Sequence, residues 1–401
     1  MHKFLIASFL FLTSALSAQP LNVKVRGKSA ILYNPNNRTI LFEKQAKEPH
    51  YPASVMKIAT ALFVLDQKGI DLEQRFKASS QALAVVQAEE KHADFLSFPP
   101  YVMEHDGVMI GVEEGKEYTL EALLHGALLA SGNDASNVLA EGLGGSIENF
   151  MQEMNHFFQE KGFSQTRFQN PHGLHHPAQM ITAYDMARIA GLAFDNPTFC
   201  KIVMAPSYDL EDGTIWKNTN RFLKEGKGKY PYFIGGKTGY VASAGYNLVV
   251  AMEKNGRRLI AVTLGCEKSS ERFEDAIHLF EAAFREEEQK RLLFAKGQGG
   301  FSPKGDESRR AKLKEDVELR YFPSEESELK AKLIWHKLKS ASKGAQVGKL
   351  VVENASGVEV ASTPLIAEKR WKGNGPSQLV WWLLGLAIFA GGIKLRKVFQ
   401  R

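Results

Sequence analysis

Apolar and polar positions change period several times along the chain. The stretch "SAILYNPNNRTILFEKQA" has apolar runs on both sides of Asn-Pro-Asn-Asn and predicts two short strands about a turn. The alternation in Thr39, Ile40, Leu41 and Phe42 is too weak to fix an inward face. In "PASVMKIATALF", Pro52 to Phe63, apolar residues at helical spacing follow a proline and a serine. That predicts a helix N-terminus with Ser54 as its cap. From Leu120, "LEALLHGALLASGNDASNVLA" is helical on both sides of a turn-forming Ser-Gly-Asn-Asp, and "SIENFMQEMNHFFQEKG" and "TAYDMARIAGLAF" predict further helices. Then "GYNLVVAMEKNGRRLIAVTLG" predicts two strands joined at Lys-Asn-Gly-Arg, and "SERFEDAIHLFEAAFREEEQKRLL" one long amphipathic helix.

Strands, then helices, then strands with a helix describe an α+β domain whose sheet joins distant segments, here residues 22–295. Gly-rich "KGQGGFSPKGDES" reads as a linker, 296–310. "VELRYF", "KAKLIWHKL", "GKLVVEN" and "VEVASTPLI" predict a small β domain, 311–370, and "KRWKGNGPS" a tether. The two ends are more apolar. "MHKFLIASFLFLTSALSAQP" has a basic start, an apolar run and small residues, the shape of a signal peptide over 1–18. "SQLVWWLLGLAIFAGGIKLRKVFQR" predicts a membrane helix over 377–395 and a basic cytoplasmic tail, 396–401, which leaves the preceding chain outside.

With 401 residues, 44% hydrophobic and 24% charged, the chain can bury a large core and is not a disordered protein. The formal charge of +6 comes partly from the tail. Between Arg285 and Lys332 basic residues alternate with acidic ones, which predicts a solvated surface and no nucleic-acid partner. Cys200 and Cys266 form no disulfide framework and leave one bridge or two buried thiols open.

Ser54-Val55-Met56-Lys57 is an SxxK, as are Ser327/Lys330 and Ser340/Lys343. Only the first is followed by Ser131-Gly132-Asn133 and Lys237-Thr238-Gly239. SxxK, then SDN, then KTG is the signature of penicillin-binding proteins and class A β-lactamases, with Gly132 here in place of the Asp. Each residue type has a physical reason. A serine hydroxyl needs a base, and Lys57, one helical turn on, serves only if it is often neutral. Burial, the helix N-terminus and the charge of Lys237 all push its pKa down. Ser131 can relay a proton from Lys57 to a leaving amine, and Asn133 offers an amide to a substrate backbone. Lys237 and Thr238 suit a carboxylate. Gly239 allows close backbone approach, and the N–H of Tyr240 joins that of Ser54 as an oxyanion donor.

The chain resembles the low-molecular-mass penicillin-binding proteins of the serine D-alanyl-D-alanine carboxypeptidase family, peptidase family S11. "LLASGNDASNVLAE", "FQNPHGL", "WKNTNRFL" and "GGKTGYVASAGYNLVVAMEKNGRRLIAVTLG" carry the likeness beyond the three motifs. The resemblance implies a penicillin-recognising transpeptidase/β-lactamase-like domain, an antiparallel sheet with flanking helices and a helical lobe, followed by the small β domain and the anchor. It implies acylation of Ser54 by peptidoglycan stem peptides ending in D-Ala-D-Ala, β-lactams as covalent inhibitors, and no metal or organic cofactor. It also implies two further site candidates. His172 in "NPHGL" matches a position linked to the hydrolytic half-reaction, and Arg272 matches an arginine near the site that helps Lys237 attract the carboxylate, with a helix-surface salt bridge as its alternative. Met180 in "AQMITAYD" stands where the family often has a histidine.

Rival readings fare less well. A serine β-lactamase commonly uses a glutamate-held water, and "TRFQNPHGLHHP" has no glutamate. A transpeptidase or endopeptidase shares the acyl-enzyme and differs in acceptor or substrate. "GGKTG" is not a P-loop, because Pro231 stands where the leading glycine belongs. "HGLHH" lacks the helix and further ligands of a zinc site. An idle wall-binding scaffold would have lost a catalytic group, and none is missing.

Overall fold

The computed structural model describes residues 5–12, 19–224, 230–304 and 306–372. In chain order the principal elements are β1 (Leu5–Leu12), β2 (Ser29–Asn34), β3 (Thr39–Lys44), α1 (Lys57–Leu65), α2 (Ala88–Ala93), α3 (Leu120–Leu128), α4 (Asn133–Gly144), α5 (Ile147–Glu160), α6 (Ala183–Phe194) and α7 (Pro197–Met204). They continue with β4 (Phe233–Val241), β5 (Gly245–Lys254), β6 (Arg257–Cys266), α8 (Ser269–Phe284), β7 (Gln289–Phe294), β8 (Ala311–Leu313), β9 (Val317–Tyr321), β10 (Leu329–Trp335), β11 (Gln346–Asn354) and β12 (Glu359–Ala367). The chain forms two units, Leu21–Asn36 with Ile40–Phe284, and the segments before and between these with everything from Arg285 on.

The larger unit is built on a five-stranded sheet in the order β4-β5-β6-β2-β3. β4, β5, β6 and β2 pair antiparallel in turn. Its central strands carry the apolar runs Leu248 to Met252 and Leu259 to Val262 because both faces are covered. Leu248, Val250 and Met252 join Leu259 and Ala261 in one cluster with Phe273, Ala276 and Phe280 of α8. Val249, Ala251, Ile260 and Val262 point the other way, to Ile58 and Ala59 of α1 and Met186 and Ile189 of α6. Each such side chain, once buried, contributes about 1.5–3 kcal/mol. Every residue of α1, Lys57 included, is buried, so it is a central helix with no solvent face. α3 and α4 are separated by the turn at Ser131 and Gly132, as the sequence pattern predicts.

The long terminal helix is shorter than predicted. It stops at Phe284, and the residues expected to extend it form β7, paired with β9. Three successive glutamates, Glu286 to Glu288, follow the helix end, where the dipole disfavours negative charge. The boundary between the units therefore falls at Phe284/Arg285, ahead of the predicted 295.

The smaller unit has its own sheet, β1-β10-β11-β12-β8, and the β7–β9 pair. Its core gathers Leu329, Leu333, Trp335, Leu350, Val352, Leu365 and Trp371. The predicted linker is not loose, since Gly297 N–H donates to Leu313 C=O and Phe301 pairs with Ala311. Of the predicted signal peptide only Leu5–Leu12 is described, as an edge strand antiparallel to β10. The predicted anchor and tail lie outside the described residues, and among those described no helix is long and apolar enough to cross a membrane.

Candidate active site

Three backbone features converge at the end of α1. A single 3-10 turn, Ala53–Met56, leads into the helix, and Ala53 takes a left-handed φ of 49°. No side chain caps this turn, so Ser54 is not the cap its sequence context predicts. Its hydroxyl instead accepts from Lys57 Nζ at 3.0 Å. The second feature is the α3–α4 turn, where Ser131 has φ 67°. Two non-glycine residues held left-handed, one beside Ser54 and the other Ser131 itself, store strain of about 1–3 kcal/mol each, which the surrounding packing must offset. The third is β4. A Cβ on Gly239 would stand 2.9 Å from Ser54 N and 3.0 Å from Val55 N, so only glycine lets this strand lie against the nucleophile's turn.

Lys57 is fixed from three sides. Besides Ser54 Oγ, its Nζ donates to Asn133 Oδ1 and to the His172 carbonyl, both at 2.7 Å. Burial, and then the charge of Lys237, hold its pKa well below the usual lysine value, with Asp134 opposing. Lys237 Nζ donates to Ser131 Oγ at 2.9 Å and to the Thr238 carbonyl at 3.1 Å. Burial first and Arg272 second lower its pKa to about 7. Thr238 lies half-buried next to it, and the Tyr240 side chain is exposed. Ser131 is thus bonded to Lys237, with Asn133 between the two motifs on the Lys57 side.

The two residues brought in by resemblance both lie beside the cluster, His172 against Lys57 and Arg272 against Gly239. The His172 ring is sealed: Leu174 N–H donates to Nδ1 at 3.1 Å, and Nε2 meets the Tyr101 carbonyl at 3.0 Å. Those partners fix the Nε2–H tautomer. Burial, then Lys57, keeps the ring well below its usual pKa. What His172 offers to the site is its backbone oxygen. Arg272 forms no surface ion pair. Its Nη1 donates to the carbonyls of Gly239 at 2.9 Å and Asn247 at 3.1 Å, its plane lies over Tyr246 and Phe273, and burial lowers its pKa to about 10. It clamps the β4–β5 ladder at the register where Gly239 faces Asn247.

Sequence reasoning passed over the struts. Asn247 Nδ2 donates to the carbonyls of Tyr51 and Pro52, each at 2.9 Å, and its Oδ1 accepts from Gly265 N–H at 2.8 Å. It ties the nucleophile's turn to β5. Asp134 Oδ2 accepts from three successive N–H groups, of Ile110, Gly111 and Val112. A polar residue inside an apolar run, as in "GYNLVVAM", is the signal that points to the first. Among the described residues no group of three His, Cys, Asp or Glu could hold a metal ion, and both cysteines are free thiols.

Set beside known proteins, residues 14–268 match the family model described as D-alanyl-D-alanine carboxypeptidase, peptidase S11. D-alanyl-D-alanine carboxypeptidase DacF of Bacillus subtilis is 32% identical over 268 residues, 65% of this chain and 63% of that protein. DacC of Escherichia coli, with the same description, is 31% identical over 280 residues, 69% of this chain and 66% of that one. The chain thus spans just under two thirds of the length of these relatives. Penicillin binding protein 5 from Haemophilus influenzae superposes with a TM-score of 0.63 at 25% identity, covering 89% of this chain and 100% of that one. The Streptomyces K15 DD-transpeptidase gives 0.55 at 26%, covering 65% and 98%. The mixed sheet-and-helix fold is that of penicillin-binding proteins, and the matched segment holds Ser54, Lys57, Ser131, Asn133 and Lys237 in one site: the chain belongs to the D-alanyl-D-alanine carboxypeptidase family, peptidase S11.

Proposed function

We propose that the protein is a serine D-alanyl-D-alanine carboxypeptidase. It removes the terminal D-Ala from peptidoglycan stem peptides ending in D-Ala-D-Ala through an acyl-enzyme on Ser54, and β-lactams acylate the same oxygen. The observation that carries this is the environment of Lys57 Nζ. Asn133 Oδ1 and the His172 carbonyl only accept, so they take the two N–H groups of a neutral amine. In that neutral state the lone pair is left for the third direction, towards Ser54 Oγ 3.0 Å away, and the hydroxyl turns from accepting the bond to donating it.

In the first step Nζ takes the hydroxyl proton as Oγ bonds to the carbonyl carbon of the penultimate D-Ala. The carbonyl π pair moves onto oxygen, facing the N–H groups of Ser54 and Tyr240. Collapse of this adduct breaks the C–N bond, and the proton on Lys57 reaches the departing amine by way of the Ser131 hydroxyl. Water then attacks the ester carbonyl, giving a proton to Lys57; collapse of this second adduct breaks the C–Oγ bond, and Lys57 returns the proton to Oγ, which regenerates Ser54 and the neutral amine. Lys237 in its protonated form, with Thr238, holds the terminal carboxylate. The reaction therefore needs Lys57 neutral and Lys237 charged. Activity rises as pH passes the depressed Lys57 value and falls above about 7, where Lys237 loses its proton.

Export through 1–18 and anchoring through 377–395 complete the reading, with the larger unit on the outer side of the cytoplasmic membrane where the wall polymer lies. Alkaline extraction of membranes and protease access in spheroplasts test it. For the chemistry, the full chain is given a pentapeptide ending in D-Ala-D-Ala beside its Ser54→Ala variant. Release of D-alanine that disappears in the variant is the expected result. Uptake of labelled penicillin at Ser54 without D-alanine release from peptide alone, but with release once an amine acceptor is added, would replace hydrolysis by transfer.

A further inference from the structure

Beyond the catalytic cluster, the loop that carries His172 continues to two more histidines that the reaction does not use. His175 Nδ1 meets Ser243 Oγ at 2.8 Å and its ring stands edge-on to Tyr51, centroids 4.5 Å apart. His92 of α2 and Phe95 approach the same ring at 5.7 and 5.4 Å, and Phe95 also meets His176 at 5.7 Å. The five rings are partly open to solvent, unlike that of His172. α2 is pinned under them by Lys91, buried, which donates to the Val102 carbonyl and pairs with Glu104 at 3.3 Å; Glu104 also meets His92 at 3.3 Å.

Two contacts tie this cluster to the elements that carry the catalytic residues. Tyr51 lies three residues before Ser54 and is held on β5 by Asn247. Ser243 lies just past the end of β4, the edge strand whose Lys237 and Thr238 face the carboxylate end of a bound peptide. A peptide extended along that edge, with its reacting carbonyl between Ser54 and Tyr240, rises about 3.3 Å per residue. Ser243 lies three positions past Tyr240, so the acyl side of such a peptide runs towards Ser243 and the His175 ring bonded to it.

We propose that Tyr51, His92, Phe95, His175 and His176 form the subsite for the acyl-donor side of the peptide, and that it takes a residue carrying a free carboxylate. This rests on the carboxypeptidase reading. The charge pattern selects an anion. The electrostatic neighbours of His175 are His92, His176 and Lys91, and that of His176 is Lys91, all of one sign. Among the described residues Glu104, packed here, is already shared by Lys91 and His92, Asp94 is bonded to Ser97, and Glu89 and Glu90 stand exposed in the first turn of α2. Tyr51, Ser243 and the sealed His172 bring no negative charge. Burial first, and then His92, His176 and Lys91 for His175 and Lys91 for His176, hold both rings below the usual histidine range, so an arriving carboxylate draws a proton onto the cluster. Binding of an anionic residue strengthens as pH falls, and a neutral isostere gains nothing.

The test uses the full chain and two acetylated peptides, X-D-Ala-D-Ala with X glutamate or glutamine, followed from about pH 5.5 to 8. The expected result is a KM ratio favouring glutamate that grows about tenfold towards the acid end, one unit of pKa rise on binding, with kcat for the two peptides staying parallel. His175→Ala flattens the ratio, and His175→Lys keeps the preference but removes its pH dependence. A ratio that does not change with pH in the unaltered protein overturns the subsite alone, since D-alanine is still released from both peptides. A pH-dependent ratio that survives His175→Ala together with His92→Ala overturns it as well. Release from neither peptide overturns the carboxypeptidase reading and the subsite with it.

Discussion

Both units of this protein contain a serine three residues ahead of a lysine, and only one of them brings the two side chains together. At Ser54/Lys57 the backbone is helical, so positions three apart share a face, and the buried surroundings of α1 leave the ammonium no water to turn to. At Ser327/Lys330 the lysine already lies on β10, where alternate residues are buried and positions three apart point to opposite faces. Ser327 Oγ reaches only the Glu328 carbonyl, at 3.4 Å. Ser340 and Lys343 are both exposed ahead of β11. The same four-letter spacing is chemistry or coincidence according to the period of the backbone beneath it and the depth at which it is held.

The strongest way to sharpen that contrast is to remove each serine in turn. Ser54→Ala is expected to lower acylation by labelled penicillin by about 10³-fold or more, and Ser327→Ala to leave it within error, both read on gels of the full chain. Next in size is Lys237→Gln. It takes away a carboxylate partner and also the nearby charge that helps keep Lys57 neutral. A drop of about 10²-fold in kcat/KM is expected. The acid limb of the pH profile moves to higher pH, because the Lys57 value rises once its neighbour is uncharged, and the fall above about 7 disappears. A profile that keeps both limbs in place would break the link between the two lysines.

The sequence makes the reactive groups legible and leaves most of their supports unread. Ser54, Lys57, Ser131, Asn133, Lys237 and Gly239 are found by order and spacing, because each carries a chemical requirement that few residue types meet. The strands of the larger sheet are legible too, since "LVVAM" and "LIAV" are apolar throughout. Asn247 and Arg272 act on backbone carbonyls, so the sequence can mark a polar group inside an apolar run but not the partner it holds. The sealed ring of His172 is hidden for the same reason: its neighbours are the backbone of Tyr101 and of Leu174. The end of α8 is hidden because charged residues at helical spacing continue past Phe284, while β7 finds its partner β9 only 23 to 32 positions further along the chain.

Glycine separates the units in the same manner. Gly239→Ala would set a Cβ against the backbone of Ser54 and Val55, where nothing flexible can give way. A loss of about 1–3 kcal/mol in stability is expected, with slower acylation as the turn is pushed from β4. Gly357 in the smaller unit has φ 76° and open space around it, so Gly357→Ala meets strain only, about 1 kcal/mol. Thermal melts and penicillin uptake on both variants distinguish them: the first lowers both, the second only the melting temperature.

The smallest expected effect distinguishes charge from shape at Arg272. Arg272→Lys keeps a cation near Lys237 but loses the fork on the Gly239 and Asn247 carbonyls, and about a tenfold loss in kcat/KM is expected. Because the charge remains, the basic limb stays near 7. Arg272→Gln removes the charge as well, so the Lys237 value rises and that limb moves up. Arg291 of the smaller unit is the counterpart: its Nη1 pairs with Glu326 at 2.6 Å and its plane lies over Tyr321. Arg291→Lys is expected to shift stability by about 1 kcal/mol or less and to leave the pH profile untouched. If Arg272→Lys moved the limb as far as Arg272→Gln does, the shape of the β4–β5 edge, and not the field of the guanidinium, would be what sets the Lys237 value.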